Sequence, residues 1–233
     1  MDLKLNPIAV YHGPVGTKFG VPRQGGVVRS LEGKIVFGEG YGVEEALKGL
    51  EGFSRIWLIW GFSLNRKDGW QPTVRPPRLG GNRSVGVWAS RSPYRPNPLG
   101  LSCVEVIGIG KGEIAVRGAD LVDGTPIYDI KPYVPYADSF PDAAPGFAPA
   151  APEEKLKVEF PEGFPFEGKE RDTLREILAL DPRPAYQDDE KRVYGMQYFG
   201  YDVHFIIKGG VLSVLDAVKG TEIEKCRTRL KNE

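Results

Sequence analysis

Cysteine and histidine each occur only twice in this chain of 233 residues, and their scarcity removes most of the usual catalytic apparatus. Cys103 and Cys226 belong to neither a CxxC nor a Cys/His cluster. The chain therefore offers no structural zinc site, no metal is expected, and the cysteine usage points to a reducing compartment. Cys103 lies inside an apolar run and reads as a core residue. His12 and His204 are too isolated for a triad or a metal site, and His204 reads as a polar-face residue of a strand. GxSxG, HExxH and Walker-type loops are missing. Long apolar runs are missing as well: no segment reaches the roughly 20 apolar residues of a spanning helix. The opening MDLKLNPIAVYHGP carries no targeting-type apolar stretch, so the expectation is a soluble cytoplasmic protein with no membrane partner.

Net charge is also lacking. The 31 basic residues balance 31 acidic ones, with 17 against 14 in residues 1–150 and 14 against 17 in residues 151–233. General attraction to nucleic acid is thereby excluded, and contact with RNA has to come from a local patch; no DNA partner is expected. Hydrophobic residues at 41% and charged residues at 27% are ordinary for a globular chain.

One such patch exists. Gly69 to Val104 reads GWQPTVRPPRLGGNRSVGVWASRSPYRPNPLGLSCV and holds five arginines, six prolines and two tryptophans, with no lysine and no acid. A planar guanidinium grips phosphate or carboxylate in two places and stacks on rings, which an ammonium does not. Proline presets φ and pushes the preceding residue to extended geometry, so this ribbon is stiff as well as basic.

Along the rest of the chain, PIAVY reads as a first strand, followed by a Gly/Pro-rich loop, HGPVGTKFGVPRQGG, expected to pack poorly and to contact a ligand. VVRSLEGKIVFG reads as a hairpin around EGK, VEEALKGLEGF as the one helix of this half, and RIWLIWGFSL as a buried strand. EVIGIGKG resembles a dinucleotide-binding loop, which should open a long helix and meet an acid about 20 residues on. Here EIAVRGADL is β-prone and Asp120 follows Gly112 by only eight residues, so the glycines are assigned to a hairpin turn. ADSFPDAAPGFAPAAP has the composition of a linker or exposed arm. Beyond it come a strand in KLKVEF, a helix in RDTLREILAL with a Thr173…Glu176 capping box ended by Asp181-Pro182, and two strands joined by Gly209-Gly210. With little helix between strands, the first half is expected to form a closed or rolled barrel. The fold class is mostly β: a barrel domain in 1–140, a linker in 141–152 and a small α+β domain in 153–233.

The polar clusters sit at loop junctions: Pro22-Arg23-Gln24, Arg91 through Leu101, and Asp120 through Asp129. They suit a reaction that needs positioning and electrostatics, such as group transfer from an activated donor. FGVPRQGG, GWQPTVRPPRLGGN, SRSPYRPNPLGLS, DLVDGTPIYDIKPY and LDPRPAY together resemble the TrmO (TsaA-like) family of tRNA methyltransferases, in the family's order from about Pro7 to about Val218. The resemblance implies a single-sheet β-barrel that binds S-adenosyl-L-methionine, a smaller C-terminal domain, a homodimer, and methylation at N6 of threonylcarbamoyl-modified adenosine beside the anticodon of tRNA. Carried over by motif, the cofactor contacts are Pro22, Arg23, Gln24, Arg91, Leu101, Asp120, Leu121, Val122 and Asp123. Where some members carry a His-Gln pair this chain has Ser63 and Leu64, so backbone contacts are expected there. Asn97 in the RPNP turn is the candidate to orient the attacking nitrogen, or else serves only the turn. Tyr94 and Trp88 are candidates to stack on a base or to pack in the core. Arg75, Arg78, Arg83 and Arg95 are candidates for tRNA phosphates, with pairing to Asp120 or Asp129 as the alternative. Arg183 and Tyr186 of the tail motif are expected either to touch substrate or to dock against the barrel. A noncatalytic RNA-binding barrel, or a methyltransferase with another substrate, are the rival readings.

Overall fold

The computed structural model describes residues 4–64, 70–150, 153, 155–183 and 189–220. Its first half is a closed barrel of six strands, β1 (Ala9–His12), β2 (Glu32–Phe37), β3 (Arg55–Gly61), β6 (Leu99–Gly110), β7 (Glu113–Arg117) and β8 (Thr125–Pro132), ordered β1-β2-β7-β6-β3-β8. All neighbours are antiparallel, β8 closing back onto β1, so no barrel edge is left unpaired. The period of two puts Tyr11, Ile35, Ile56, Leu58, Val104, Ile114, Val116 and Ile127 inside, each buried. Between β3 and β6 the ribbon folds on itself as a two-stranded hairpin, β4 (Thr73–Val74) with β5 (Val85–Gly86). As the β-prone sequence after it predicts, GIGKG belongs to a hairpin: its first three residues end β6, Lys111-Gly112 make the turn into β7, and Gly112 takes φ 76° there.

The second half is a four-stranded sheet, β9 (Lys157–Glu159), β10 (Tyr194–Tyr198), β11 (Tyr201–Lys208) and β12 (Val211–Lys219), ordered β10-β11-β12-β9 with β9 parallel to β12. Helix α3 (Gly168–Ala179) contributes Leu174, Ile177 and Leu178 to the core this sheet builds. Two shorter helices, α1 (Glu44–Leu47) and α2 (Pro135–Asp138), decorate the barrel half. Among the described residues no helix is long and apolar enough to cross a membrane.

Four local expectations change. The loop before β2 packs well: Val15, Val28 and Leu31 are buried in the C-terminal core, and Phe19 stacks on Tyr194 at 6.0 Å. Its glycines bend the chain, while its sparse apolar residues find a partner that only tertiary structure supplies. EGK is the start of β2 and not a hairpin turn, because VVRS runs off to that second core. VEEALKGLEGF makes one turn of helix and a short 3₁₀ turn, broken at Gly49 with φ 88°. Helix α3 begins at Gly168, so Thr173 is no cap; it lies buried mid-helix and its hydroxyl donates to Ser30 O at 3.4 Å.

Candidate active site

The register of β3 on β6 sets Trp60 opposite Gly100 and Leu58 opposite Ser102. These four share the inner face, so the indole of Trp60 crosses the bare Gly100 and reaches diagonally to Ser102. A Cβ on Gly100 would lie 2.3 Å from the Trp60 ring; only glycine leaves that space. Trp60 Nε1 donates to Ser102 Oγ at 2.9 Å, and Ser102 Oγ donates to Asp120 Oδ1 at 2.5 Å. Next to Trp60 the pairing of β3 with β8 slips between Ile59 and Trp60, a bulge of the kind that re-aims a side chain beside a site.

These groups open into a cavity of about 490 Å³ at the barrel's end. Its wall takes Pro22, Arg23 and Gln24 from the loop after β1, Ser63 and Leu64 from the end of β3, Arg91 from the ribbon, Leu101 from β6, and Asp120 and Val122 from the segment before β8. Nine of the eleven positions selected from sequence for the cofactor thus meet around one space, although they span 101 positions of chain. Leu121 is not part of the wall; it is buried in the barrel core. Asp123 lies outside too, accepting from Gly13 N at 3.3 Å and standing 3.1 Å from His12 Nδ1. Trp60, Phe62, Ser90 and Thr125 also line the cavity, and Ser102 lies behind it; Ser90, Ser102 and Thr125 belong to the motifs SRSPYRPNPLGLS and DLVDGTPIYDIKPY but are not among the positions selected from sequence, and Trp60 and Phe62 lie in an apolar run without a motif.

Burial pushes the Asp120 carboxyl above the usual carboxylate range, against the opposing pull of the Ser102 hydroxyl, backbone N–H groups and the Arg91 charge. Arg91 is fixed at the rim by donating to Gln24 Oε1 at 2.6 Å. Carboxylate, guanidinium and the flat apolar walls of Trp60, Phe62 and Leu101 suit a ligand that joins a cationic centre to an aromatic base. Cys103 does not line this cavity, and burial pushes its thiol up, away from nucleophile duty.

A larger groove of about 2130 Å³ runs beside this cavity, between the ribbon and the Ala/Pro-rich arm. Arg75, Arg78, Arg91, Trp88, Tyr94 and Arg183 line it, with residues 144–150 as the opposite bank. Arg78 donates to Ala150 O, tying the banks together. Arg83 is exposed and lines neither space. Arg95 turns inward, donating to Ser90 O at 2.7 Å and Val87 O at 3.2 Å; Asp129 pairs with Lys131 at 3.0 Å. The Arg183 guanidinium forks onto Asp181 at 2.9 and 3.0 Å and is only 12% exposed, while its carbonyl accepts from Arg23. Asn97 is exposed on the turn before β6, outside both spaces, its carbonyl accepting from Leu99 N. Tyr186 lies outside the described residues.

Comparison with known proteins covers both halves. Residues 10–139 match the tRNA-methyltransferase O N-terminal domain and residues 153–220 the TrmO C-terminal domain. A tRNA (adenine(37)-N6)-methyltransferase of Escherichia coli strain K12 is 41% identical over 221 residues, covering 88% of this chain and 93% of that protein. A Pseudomonas aeruginosa relative that carries the name of an S-adenosylmethionine-dependent methyltransferase is 39% identical over 231 residues, 94% of this chain and 100% of its own. The crystal structure of TrmO from Pseudomonas aeruginosa superposes with a TM-score of 0.77 at 33% identity, over 94% of this chain and 98% of that one. With both of its halves matched and its barrel shared, this chain belongs to the TrmO family.

Proposed function

We propose that the protein transfers a methyl group from S-adenosylmethionine to N6 of adenosine 37 of tRNA, beside the anticodon, on a nucleoside that already carries a threonylcarbamoyl group. The observation that carries the reading is the cavity around Asp120, where residues far apart in sequence converge on a carboxylate, a guanidinium and apolar walls. The names of the Escherichia coli and Pseudomonas aeruginosa relatives support the same reaction and donor.

Pro22, Arg23, Gln24, Ser63, Leu64, Arg91, Leu101, Asp120 and Val122 would hold the donor, with Leu121 and Asp123 fixing that last segment from outside the wall. When bound, S-adenosylmethionine would supply an electrophilic methyl, the bonding pair staying on sulfur, and the N6 proton would pass to water. The protein's part is positioning and charge, which suffice for a displacement that needs no covalent enzyme intermediate. Asp120 places negative charge beside a cationic donor, and the Trp60–Ser102 chain fixes the carboxylate's direction. Tyr94, which lines the groove, and Asn97, on the exposed turn before β6, are the proposed groups that orient N6. Arg75, Arg78 and Arg83 are the proposed phosphate contacts, whereas Arg95 and Arg183 act from within the protein by holding the ribbon and the tail motif. The proposed division is a donor-binding barrel in 1–140, an arm in 141–152 and a second domain in 153–233, in line with the two family spans. A cytoplasmic homodimer completes the reading; exposed Leu101, Tyr136 and Phe140, at 54%, 89% and 68%, give a second copy apolar surface to cover.

Incubating the protein with methyl-labelled donor and tRNA bearing the threonylcarbamoyl group tests this. Label in adenosine 37 is expected; no label in any tRNA pool would overturn it.

A further inference from the structure

Two tryptophans of the ribbon are left standing in water. Trp88 is 66% and Trp70 49% exposed, yet their rings stand 6.1 Å apart at 24°, an offset stack. The frame under them is rigid. Trp70 precedes β4 and Trp88 follows β5, so the hairpin brings them together. Val87 is fully buried and its N–H donates to Pro72 O at 3.0 Å, while Gln71 N–H donates to Tyr94 O at 3.2 Å. The Arg95 guanidinium lies 5.0 Å from the centre of the Trp88 ring, itself anchored on Val87 O and Ser90 O. Such a cation over an indole stiffens it further.

We propose that the Trp70–Trp88 pair is a stacking platform for an unpaired nucleobase of the RNA substrate; this rests on the tRNA reading above. The occupant follows from charge. The ribbon holds five arginines and no acid, and Trp88 lines the groove that Arg75, Arg78 and Arg91 also face. Phosphates beside an aromatic surface are what a single-stranded nucleic acid offers, and any base has a face to stack. A second copy is the poorer occupant: a twofold contact through this ribbon would set its arginines against their own equivalents.

The test compares Trp88→Ala, Trp88→Phe and Trp70→Ala with the parent protein, by filter binding of tRNA over a range of salt, calorimetry with the donor, and sedimentation. Each alanine variant is expected to bind tRNA about tenfold more weakly, the size of one lost base stack. Trp88→Phe should recover most of the affinity. The slope of affinity against salt should stay unchanged, since no phosphate contact is removed, and donor affinity should hold. Parent-like tRNA affinity in both alanine variants would overturn the platform, and so would a fall in oligomeric mass, which would assign the face to a second copy. A parent protein that binds no tRNA at all would overturn the tRNA reading itself, a failure distinct from a platform that proves idle.

Discussion

Ser102 Oγ stands 2.5 Å from Asp120 Oδ1, and the same oxygen accepts the indole N–H of Trp60 from its other side. One hydroxyl thus couples the wall of the cavity to its only buried carboxylate among the described lining residues. Because burial raises the Asp120 value, the folded state keeps a proton that the unfolded state has already lost. Stability therefore falls as pH climbs from the ordinary carboxylate range through the elevated value, and levels off above it.

Ser102→Ala removes a hydrogen bond to the charged form and raises Asp120 further. The expected loss is about 1.5–3 kcal/mol at a pH above the elevated value, where Asp120 is charged in both states, shrinking as pH falls through that value and the carboxyl takes up its proton. Urea denaturation on either side of that value checks this; an equal loss on both would show that the bond does not act on the carboxylate. Asp120→Asn should flatten the pH dependence while weakening donor binding.

Gly100→Ala puts a methyl where the Trp60 ring now lies. Overpacking of this kind costs about 1–3 kcal/mol, or roughly 2–4 °C in Tm per kcal/mol for a chain of this size. Donor affinity should drop with it, because Trp60 must leave the cavity wall. A variant with parent Tm and parent affinity would contradict the packing described for β3 and β6.

Much of this architecture can be read from the residues, and the exceptions have a common cause. The short, dense apolar run RIWLIW and the β-prone EIAVRGADL give the barrel strands, because runs this short and rich in β formers fit a buried strand better than a helix. Pro22, Arg91 and Asp120 can be placed at one site through motif resemblance, since their types and spacing are distinctive. The link between Trp60 and Ser102 cannot be read this way: a strand register joins them, while in sequence one is part of an apolar run and the other ends a motif 42 residues later with nothing to pair them. Val15, Val28 and Leu31 are opaque for the same reason, as they serve the core of the other half. Thr173 followed by Glu176 mimics a cap, yet the helix starts a turn and a half earlier, where Gly168 takes φ 49°.

Arg91→Ala should weaken donor binding more than Arg78→Ala does. Arg91 sits on the rim of the cavity against Gln24, whereas Arg78 ties the arm to the ribbon. Calorimetry with S-adenosylmethionine separates the two; equal effects would contradict the division of the arginines between donor and RNA.

Arg183→Lys keeps the charge and loses the fork onto Asp181. The expected result is a lower Tm, by the 2–4 °C that about 1 kcal/mol gives, with the salt slope of tRNA binding unchanged. A parent Tm together with weaker tRNA binding would instead place Arg183 on a phosphate, whose two-point grip lysine does not reproduce.

The most direct measurement is mass spectrometry of tRNA nucleosides from cells lacking the protein. Loss of the methyl on threonylcarbamoyl-adenosine, with the unmethylated form accumulating and the methyl restored by the parent gene but not by Asp120→Ala, is the predicted result. Nucleosides unchanged from those of the parent cells would contradict the account.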